Sequence, residues 1–293
     1  MRLALLGFGL IGGSVARALR QRPAAGDFVV DEIVAWSPSG SGPATALRDG
    51  VIDKAAATPR AAIEGADIVL LAGPPIVVLD QLDELAGPWR EDLAGDAVIT
   101  DVASTKAAIV ERASANGLRF VGGHPMAGRE TSGYSASTAD LFVDRPWVIV
   151  PSDDPAAVGR VQSLAAATGA ATRRMTAADH DAAVAAVSHL PLVVAAALVE
   201  AVAGDTNGPR PDWPTAAGLA ATGWRDMTRL ARGDVAMGAG IAATNGAQVA
   251  ARVRDLIAVL EGWAGELEQG PTVAADAIAE RLRVARDRLE GPA

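Results

Sequence analysis

Gly7-Phe8-Gly9-Leu10-Ile11-Gly12 follows the apolar run Leu3–Leu6 and opens a helix-like stretch, Gly12–Gln21. Such a loop needs glycine at three points. The first makes the tight strand-to-helix turn, the second lets backbone approach a pyrophosphate, and the third lets the helix pack close to the strand. Phe8, Leu10 and Ile11 complete the loop, and the helix end turns its free N–H groups toward the phosphates. The expectation is a dinucleotide site at the start of the chain.

Outward from the loop, short apolar runs alternate with helical stretches. Ile33–Trp36, Asp67–Leu71, Ala97–Thr100, Arg119–Gly122 and Trp147–Val150 read as strands, with Ala44–Asp49 in a helix. That alternation implies right-handed crossovers and a parallel sheet. The turn after Asp67–Leu71, at Ala72 and Pro74, is expected against the cofactor. An NAD enzyme usually ends its second strand with a carboxylate for the adenosine ribose. Here Ser37-Pro38-Ser39 follows Trp36. Ser37 and Ser39 suit a 2′-phosphate, yet no Arg follows at once, so the balance between NAD and NADP tips only slightly to NADP.

Pro151-Ser152-Asp153-Asp154-Pro155 reads as a turn, and strand signals become scarce beyond it. Thr176-Ala177-Ala178-Asp179 has the form of a capping box and starts a long helix. Asn207–Pro214 breaks that helix, and Val249–Glu261 and Ala274–Leu289 carry apolar residues at helical spacing. The fold class is therefore α/β: a Rossmann-type parallel-sheet domain over residues 1–151, then an all-helical dimerisation domain over 152–293.

Composition narrows the function. A chain of 293 residues with a formal charge of −9 suits two domains and shows no clustered basic surface for nucleic acid. It has no cysteine, which excludes disulfides, thiolate catalysis and zinc–sulfur sites. The N-terminus enters a folded pattern at once, so no signal peptide is expected and the cytoplasm is the expected compartment. Ala182–Ala203 imitates a membrane span, but Ser188, His189, Pro191 and Glu200 argue for a core or dimer helix.

The chain has three histidines, His124, His180 and His189. His124 sits in Gly122-Gly123-His124-Pro125-Met126-Ala127-Gly128, where flanking glycines leave little side chain to bury it. His180 and His189 are nine residues apart, which puts them on opposite faces of a straight helix. Pro191 removes the N–H that would reach Val187, so a kink near His189 is expected. His180, between Asp179 and Asp181, is read as part of a structural or gating ion network.

Taken with Asp101–Lys106 (DVASTK), Gly122–Gly133 (GGHPMAGRETSG), Ser188–Pro191 (SHLP) and Trp224–Arg229 (WRDMTR), the glycine loop makes a set of motifs in order. In this set the chain resembles the prephenate and arogenate dehydrogenases, the TyrA family, from Met1 to about Asn245. The resemblance implies oxidative decarboxylation of a cyclohexadienyl acid on the route to tyrosine, by a homodimer. It implies that His124 accepts the ring-hydroxyl proton, that Ser104 orients it, that Arg229 holds a substrate carboxylate and that His189 lines the pocket. The chemistry suits these types: a base of near-neutral pKa for the hydroxyl, and a planar guanidinium for a carboxylate. Arg225 is a further substrate candidate, although Arg225 and Arg229 also suit a solvated helix face. No feedback domain of the ACT kind is expected after the last helix, near Leu289.

Three departures bear on the substrate. Arg129 follows HPMAG where relatives carry a small or polar residue, and it reads equally as a substrate contact or as a partner of Glu130. Leu192 replaces a second His, and Gly238 stands where relatives often carry Trp. Prephenate, arogenate and 4-amino-4-deoxyprephenate all remain open. The competing enzyme reading is a β-hydroxyacid dehydrogenase or imine reductase, disfavoured in its Lys-dependent forms because the helical half has no Lys. A non-enzymatic NAD(P)-sensing dimer would have no use for His124, Ser104 and Arg229.

Overall fold

In the computed structural model, Arg2–Leu6 (β1) is an inner strand of an eight-stranded sheet. The structure describes residues 1–22, 28–129 and 131–291. The other strands are Glu32–Trp36 (β2), Lys54–Ala55 (β3), Ile68–Leu71 (β4), Val98–Asp101 (β5), Phe120–Pro125 (β6), Pro146–Val150 (β7) and Ala171–Arg174 (β8). Their order is β3-β2-β1-β4-β5-β6-β7-β8, so the sheet changes direction of growth between β1 and β4. Open sheets of this kind bind ligands at that switch, outside the carboxyl ends of the strands.

Side chains alternate across β1. Leu3 and Leu5 enter one apolar cluster with Ile33 and Ile68, while Ala4 and Leu6 enter another with Val34, Val69 and Ile99. Fully burying each Leu contributes about 1.5–3 kcal/mol. Helices cover both faces. Leu10–Gln21 (α1) and Ser41–Arg48 (α2) add Val15 and Ala46 to the first cluster. Pro59–Ile63 (α3), Pro75–Ala86 (α4) and Ala107–Ala115 (α5) bring Ile63, Leu82 and Ile109 to the second. Pro155–Ala167 (α6) returns to the first face through Val158 and Leu164.

Two features differ from the sequence reading. β6 pairs with β5 in parallel but with β7 antiparallel, so the sheet is parallel only from β3 to β6 in spatial order. The chain returns from β6 to β7 without a crossover α-helix, and β7 lies antiparallel beside it. The sheet also runs past residue 151, because β8 pairs in parallel with β7. β8 is Ala-Thr-Arg-Arg at a sheet edge, and its largely exposed pattern hides it from hydrophobic periodicity.

Beyond β8 the chain is helical apart from a two-residue antiparallel ribbon, Gly204–Asp205 with Gly208–Pro209. Ala177–Val184 (α7) starts at the expected capping box, where Thr176 Oγ1 accepts the Asp179 N–H at 3.1 Å. A π-helical turn, Ala185–His189, joins it to Leu190–Ala203 (α8). Pro191, the second residue of α8, accounts for the break in the ladder. Trp213–Gly218 (α9), Thr222–Met227 (α10) and Val235–Thr244 (α11) follow. Gly246–Leu267 (α12) and Pro271–Glu290 (α13) contain both expected C-terminal helices.

Contacts divide the chain into two units, Met1–Gly246 and Ala247–Ala293, so most of the helical half belongs with the sheet. Within the second unit, Arg281 grips Glu266 at 2.6 and 2.8 Å and lies over the Trp263 ring. Among the described residues, Ala177–Ala203 is long and apolar enough to cross a membrane, and 22% of its most apolar window is buried. Its His180 and Asp181, described next, are tied to β6 and to the start of α5.

Candidate active site

The glycine loop joins β1 to α1 with φ of +103° at Gly7, where a Cβ would stand 2.5 Å from the Ala72 carbonyl oxygen. Only glycine tolerates both conditions. A Cβ at Gly12 would meet the Gly7 carbonyl oxygen at 2.5 Å, so the third glycine seats the helix on the loop. At Gly9 there is nothing within 4 Å, which leaves its Cα face open to a ligand.

That face looks into a cavity of about 940 Å³. Gly7, Phe8 and Gly9 form one wall, Ser37 and Ser39 another, and Ala72 and Pro74 a third. Leu10, Ile11 and Gly12 lie in the first turn of α1 and are not on the wall. An open glycine, a helix N-terminus and a cavity at the switch between β1 and β4 fit a dinucleotide. The charged side chains of the wall are Arg17, Asp49, Asp80 and Glu84. Arg17 is engaged: Nε donates to Ser137 Oγ at 2.9 Å, and the guanidinium lies 4.4 Å from the Tyr134 ring centroid. Tyr134 stacks on Phe8 and donates to Asp49, and burial with that bond pushes its hydroxyl up to about 12.

A second group of residues gathers at the carboxyl ends of β5 and β6. Asp101 ends β5 and forms a fully buried ion pair with Lys106. Its carboxylate also accepts the N–H groups of Ala103 and Gly123, each at 3.0 Å. Burial pushes Lys106 down and Asp101 up, and these bonds hold the pair in one geometry. A Cβ at Gly123 would stand 2.6 Å from the Asp101 carbonyl oxygen, and one at Gly122 would stand 3.2 Å from Lys106 Cδ. The glycines before His124 therefore let β5 and Lys106 pass beneath it.

His124 Nδ1 lies 2.8 Å from His180 Nε2, with the rings edge to face. His180 Nδ1 lies 2.7 Å from Asp181 Oδ1. Asp181 Oδ1 and Oδ2 accept the N–H groups of Lys106 and Ala107, each at 2.8 Å, at the start of α5. Burial alone would raise the Asp181 carboxyl, but the bonds from His180 and the two N–H groups outweigh it and hold it below its ordinary value. Burial, then the electrostatic influence of His180, Lys106 and His189, pushes His124 well below an ordinary imidazole. Asn245 Nδ2 donates to the Asp181 carbonyl at 2.9 Å and reaches His189 Nδ1 at 3.2 Å. His189 is 1% exposed, and burial pushes it down to about 4.

His180 and His189 thus share one neighbourhood, against the expectation of opposite faces. The π turn explains it. One extra residue in the turn makes a nine-residue separation act as eight, which leaves the side chains roughly 80° apart at 100° per residue. His180 and Asp181 enter the site from α7, Asn245 from the end of α11 and Lys106 from the β5–α5 loop. The sequence signals were the acid-flanked His180 and the Pro two residues after His189.

Other expected residues are less closely grouped. Ser104 Oγ faces Met237 Sδ at 3.9 Å, and the ring partner of His124 is His180, not Ser104. Arg129 is exposed and donates to Thr138 Oγ1 at 3.2 Å; Glu130 lies outside the described residues. Arg225 is exposed on α10, and Arg229 begins a 3-10 turn, Arg229–Arg232, packed against α8. A Cβ at Gly238 would meet Leu192 Cδ2 at 3.7 Å, so two of the three departures are neighbours.

Residues 15–174 match the family described as "Prephenate dehydrogenase, nucleotide-binding domain", and residues 176–282 match "Prephenate dehydrogenase, dimerization domain". The break between them falls at Met175, just after β8. The chain is 31% identical to a prephenate dehydrogenase of Bacillus subtilis over 99% of its own length and 75% of that protein's. Among solved structures, Synechocystis arogenate dehydrogenase is 30% identical with a TM-score of 0.75, covering 99% of this chain and 100% of that one. A prephenate dehydrogenase from Aquifex aeolicus, solved with hydroxyphenyl propionate and NAD+, is 26% identical with a TM-score of 0.83, covering 99% and 98%.

Proposed function

The chain belongs to the prephenate dehydrogenase family, and from that premise we propose that it oxidises and decarboxylates a cyclohexadienyl acid, with His124 as the proton acceptor. The observation that carries this reading is His124 itself: an imidazole at the carboxyl end of β6 that burial holds neutral, with its Nδ1 engaged 2.8 Å from His180. A nicotinamide dinucleotide, when bound at the glycine loop, supplies the hydride acceptor. His124 takes the ring-hydroxyl proton as the carbinol carbon loses hydride, and the ring carboxylate leaves as CO2 with aromatisation. Arg229 anchors a substrate carboxylate through its planar fork. His189, buried beside Asp181 and Asn245 in the same group, supports a pocket role.

For the cofactor, the cavity wall favours NAD. Three carboxylates face one guanidinium there, and Arg17 is already committed to Ser137 and Tyr134. A 2′-phosphate would add about two negative charges to that wall. The serines at 37 and 39 offer hydroxyls but no positive charge, so the slight preference for NADP gives way.

A homodimer through the helical half, acting in the cytoplasm, completes the reading. The matched dimerisation region and the apolar, mostly uncovered run Ala177–Ala203 support the dimer. The decisive experiment follows NADH or NADPH formation with prephenate, arogenate and 4-amino-4-deoxyprephenate in turn. Turnover of at least one is expected, and no turnover with any of the three overturns the proposal.

A further inference from the structure

We infer that His180 and Asp181 are positioning residues that fix the tautomer of His124, leaving its Nε2 bare to act as the base. The inference rests on His124 being the proton acceptor, and it goes further by naming the nitrogen and what sets it. Asp181 already accepts two backbone N–H groups at the start of α5, each at 2.8 Å. A carboxylate so placed is an acceptor only, and the positive end of the helix dipole favours its charge. His180 Nδ1, 2.7 Å away, therefore carries a proton and donates it. In a neutral His180 the other nitrogen, Nε2, has a lone pair and must accept. Its partner at 2.8 Å is His124 Nδ1, which therefore carries the proton and leaves Nε2 of His124 with the lone pair.

The chemistry then balances along the chain. The substrate hydroxyl proton goes to His124 Nε2, whose ring becomes an imidazolium. Its Nδ1–H bond to His180 gains charge assistance, and the Asp181 carboxylate one ring further on offsets the new charge. The titratable groups facing His124 are His180 from α7, His189 from the π turn and Lys106 before α5, with Asp101 beneath through Gly123. His180 is 1% exposed and Asp181 3%, so bulk water does not compete for these bonds.

The test uses the full chain, labelled with ¹⁵N-histidine; its three ring systems are assigned by single substitutions. At pH 8 the His124 signals should be those of an Nδ1–H, Nε2-bare imidazole. His180→Leu removes the acceptor and should lower kcat roughly 10²-fold, at the lower end of a positioned base's contribution, with KM and cofactor affinity within about two-fold. His180→Gln puts an amide oxygen near the place of Nε2 and should restore most of kcat. An Nε2–H tautomer in the unmodified protein, an undiminished kcat in His180→Leu, or a His180→Gln no better than His180→Leu each overturns the inference. If His180→Leu fails to fold, the spectrum of the unmodified protein decides alone. A His124→Asn variant of normal kcat would instead sink the reading of His124 itself, so the two failures are told apart.

Discussion

The side-chain amide of Asn245 stands 3.2 Å from Nδ1 of His189, and that contact assigns the proton on the ring. The same amide nitrogen donates to the Asp181 carbonyl at 2.9 Å, which fixes it as the donor. His189 Nδ1 accepts, so the proton is on Nε2, which is buried. The ring is held neutral.

Neutrality at His189 has a consequence for acid stability. An imidazole in the unfolded chain takes up its proton near 6.5, whereas folded His189 does so only near 4. Between those values the unfolded state binds the extra proton, so stability falls as pH drops from 6.5 to 4 and is fully present above that window. The loss from His189 is on the order of 3 kcal/mol. His124, pushed down by burial in the same direction, adds to it. Calorimetry from pH 8 to pH 4 should show Tm falling across the window, and a flat Tm would contradict a buried neutral His189.

His124→Asn should bind the dinucleotide normally but lose roughly 10²–10⁴-fold in kcat. Cofactor titration beside steady-state rates checks both halves. An unchanged kcat removes His124 from the chemistry.

Arg229→Ala should act mainly on KM for the cyclohexadienyl acid, raising it about 10–100-fold, as expected for one lost charge-assisted contact of about 1.5–3 kcal/mol. Initial rates over a range of substrate concentration decide it. A loss confined to kcat would assign Arg229 to the transition state instead.

The first two glycines of the loop separate stability from binding. Gly7→Ala forces a side chain into φ of +103° and against the Ala72 carbonyl, so Tm should fall. Gly9→Ala meets nothing within 4 Å and should leave Tm unchanged while weakening the dinucleotide at least ten-fold. Melting curves with and without cofactor distinguish them, and equal effects from the two would contradict the open face at Gly9.

The acidic cavity wall makes a separate claim about the nucleotide. kcat/KM for NAD should exceed that for NADP, and Asp80→Asn with Glu84→Gln should narrow the gap. A preference for NADP in the unmodified protein would overturn the charge argument.

Local grammar made the first half of the fold legible. The glycine loop, the alternating runs and the capping box at Thr176 each name their element in a few residues. β8 was hidden because Arg173 and Arg174 at a sheet edge break the apolar alternation that marks a strand. His124 was legible from its setting, but its partner was not. Placing His180 depended on a helical phase that the sequence gives no means to count, since a π turn leaves no simple compositional mark. Asn245 and the buried Asp101–Lys106 pair matter only through neighbours more than fifty residues away or through the close approach that Gly122 and Gly123 permit.

The turn Ala185–His189 is also a matter of arithmetic in the gene. Its surplus residue sets the azimuth of everything from Leu190 to Ala203 relative to α7, hence both where His189 stands relative to His180 and which face α8 turns outward. Substituting Val187, 72% exposed, leaves that count intact. Deleting any one of the five would keep nearly every side chain in the protein and turn α8 by about a quarter of a revolution. In this segment, length is under tighter constraint than identity.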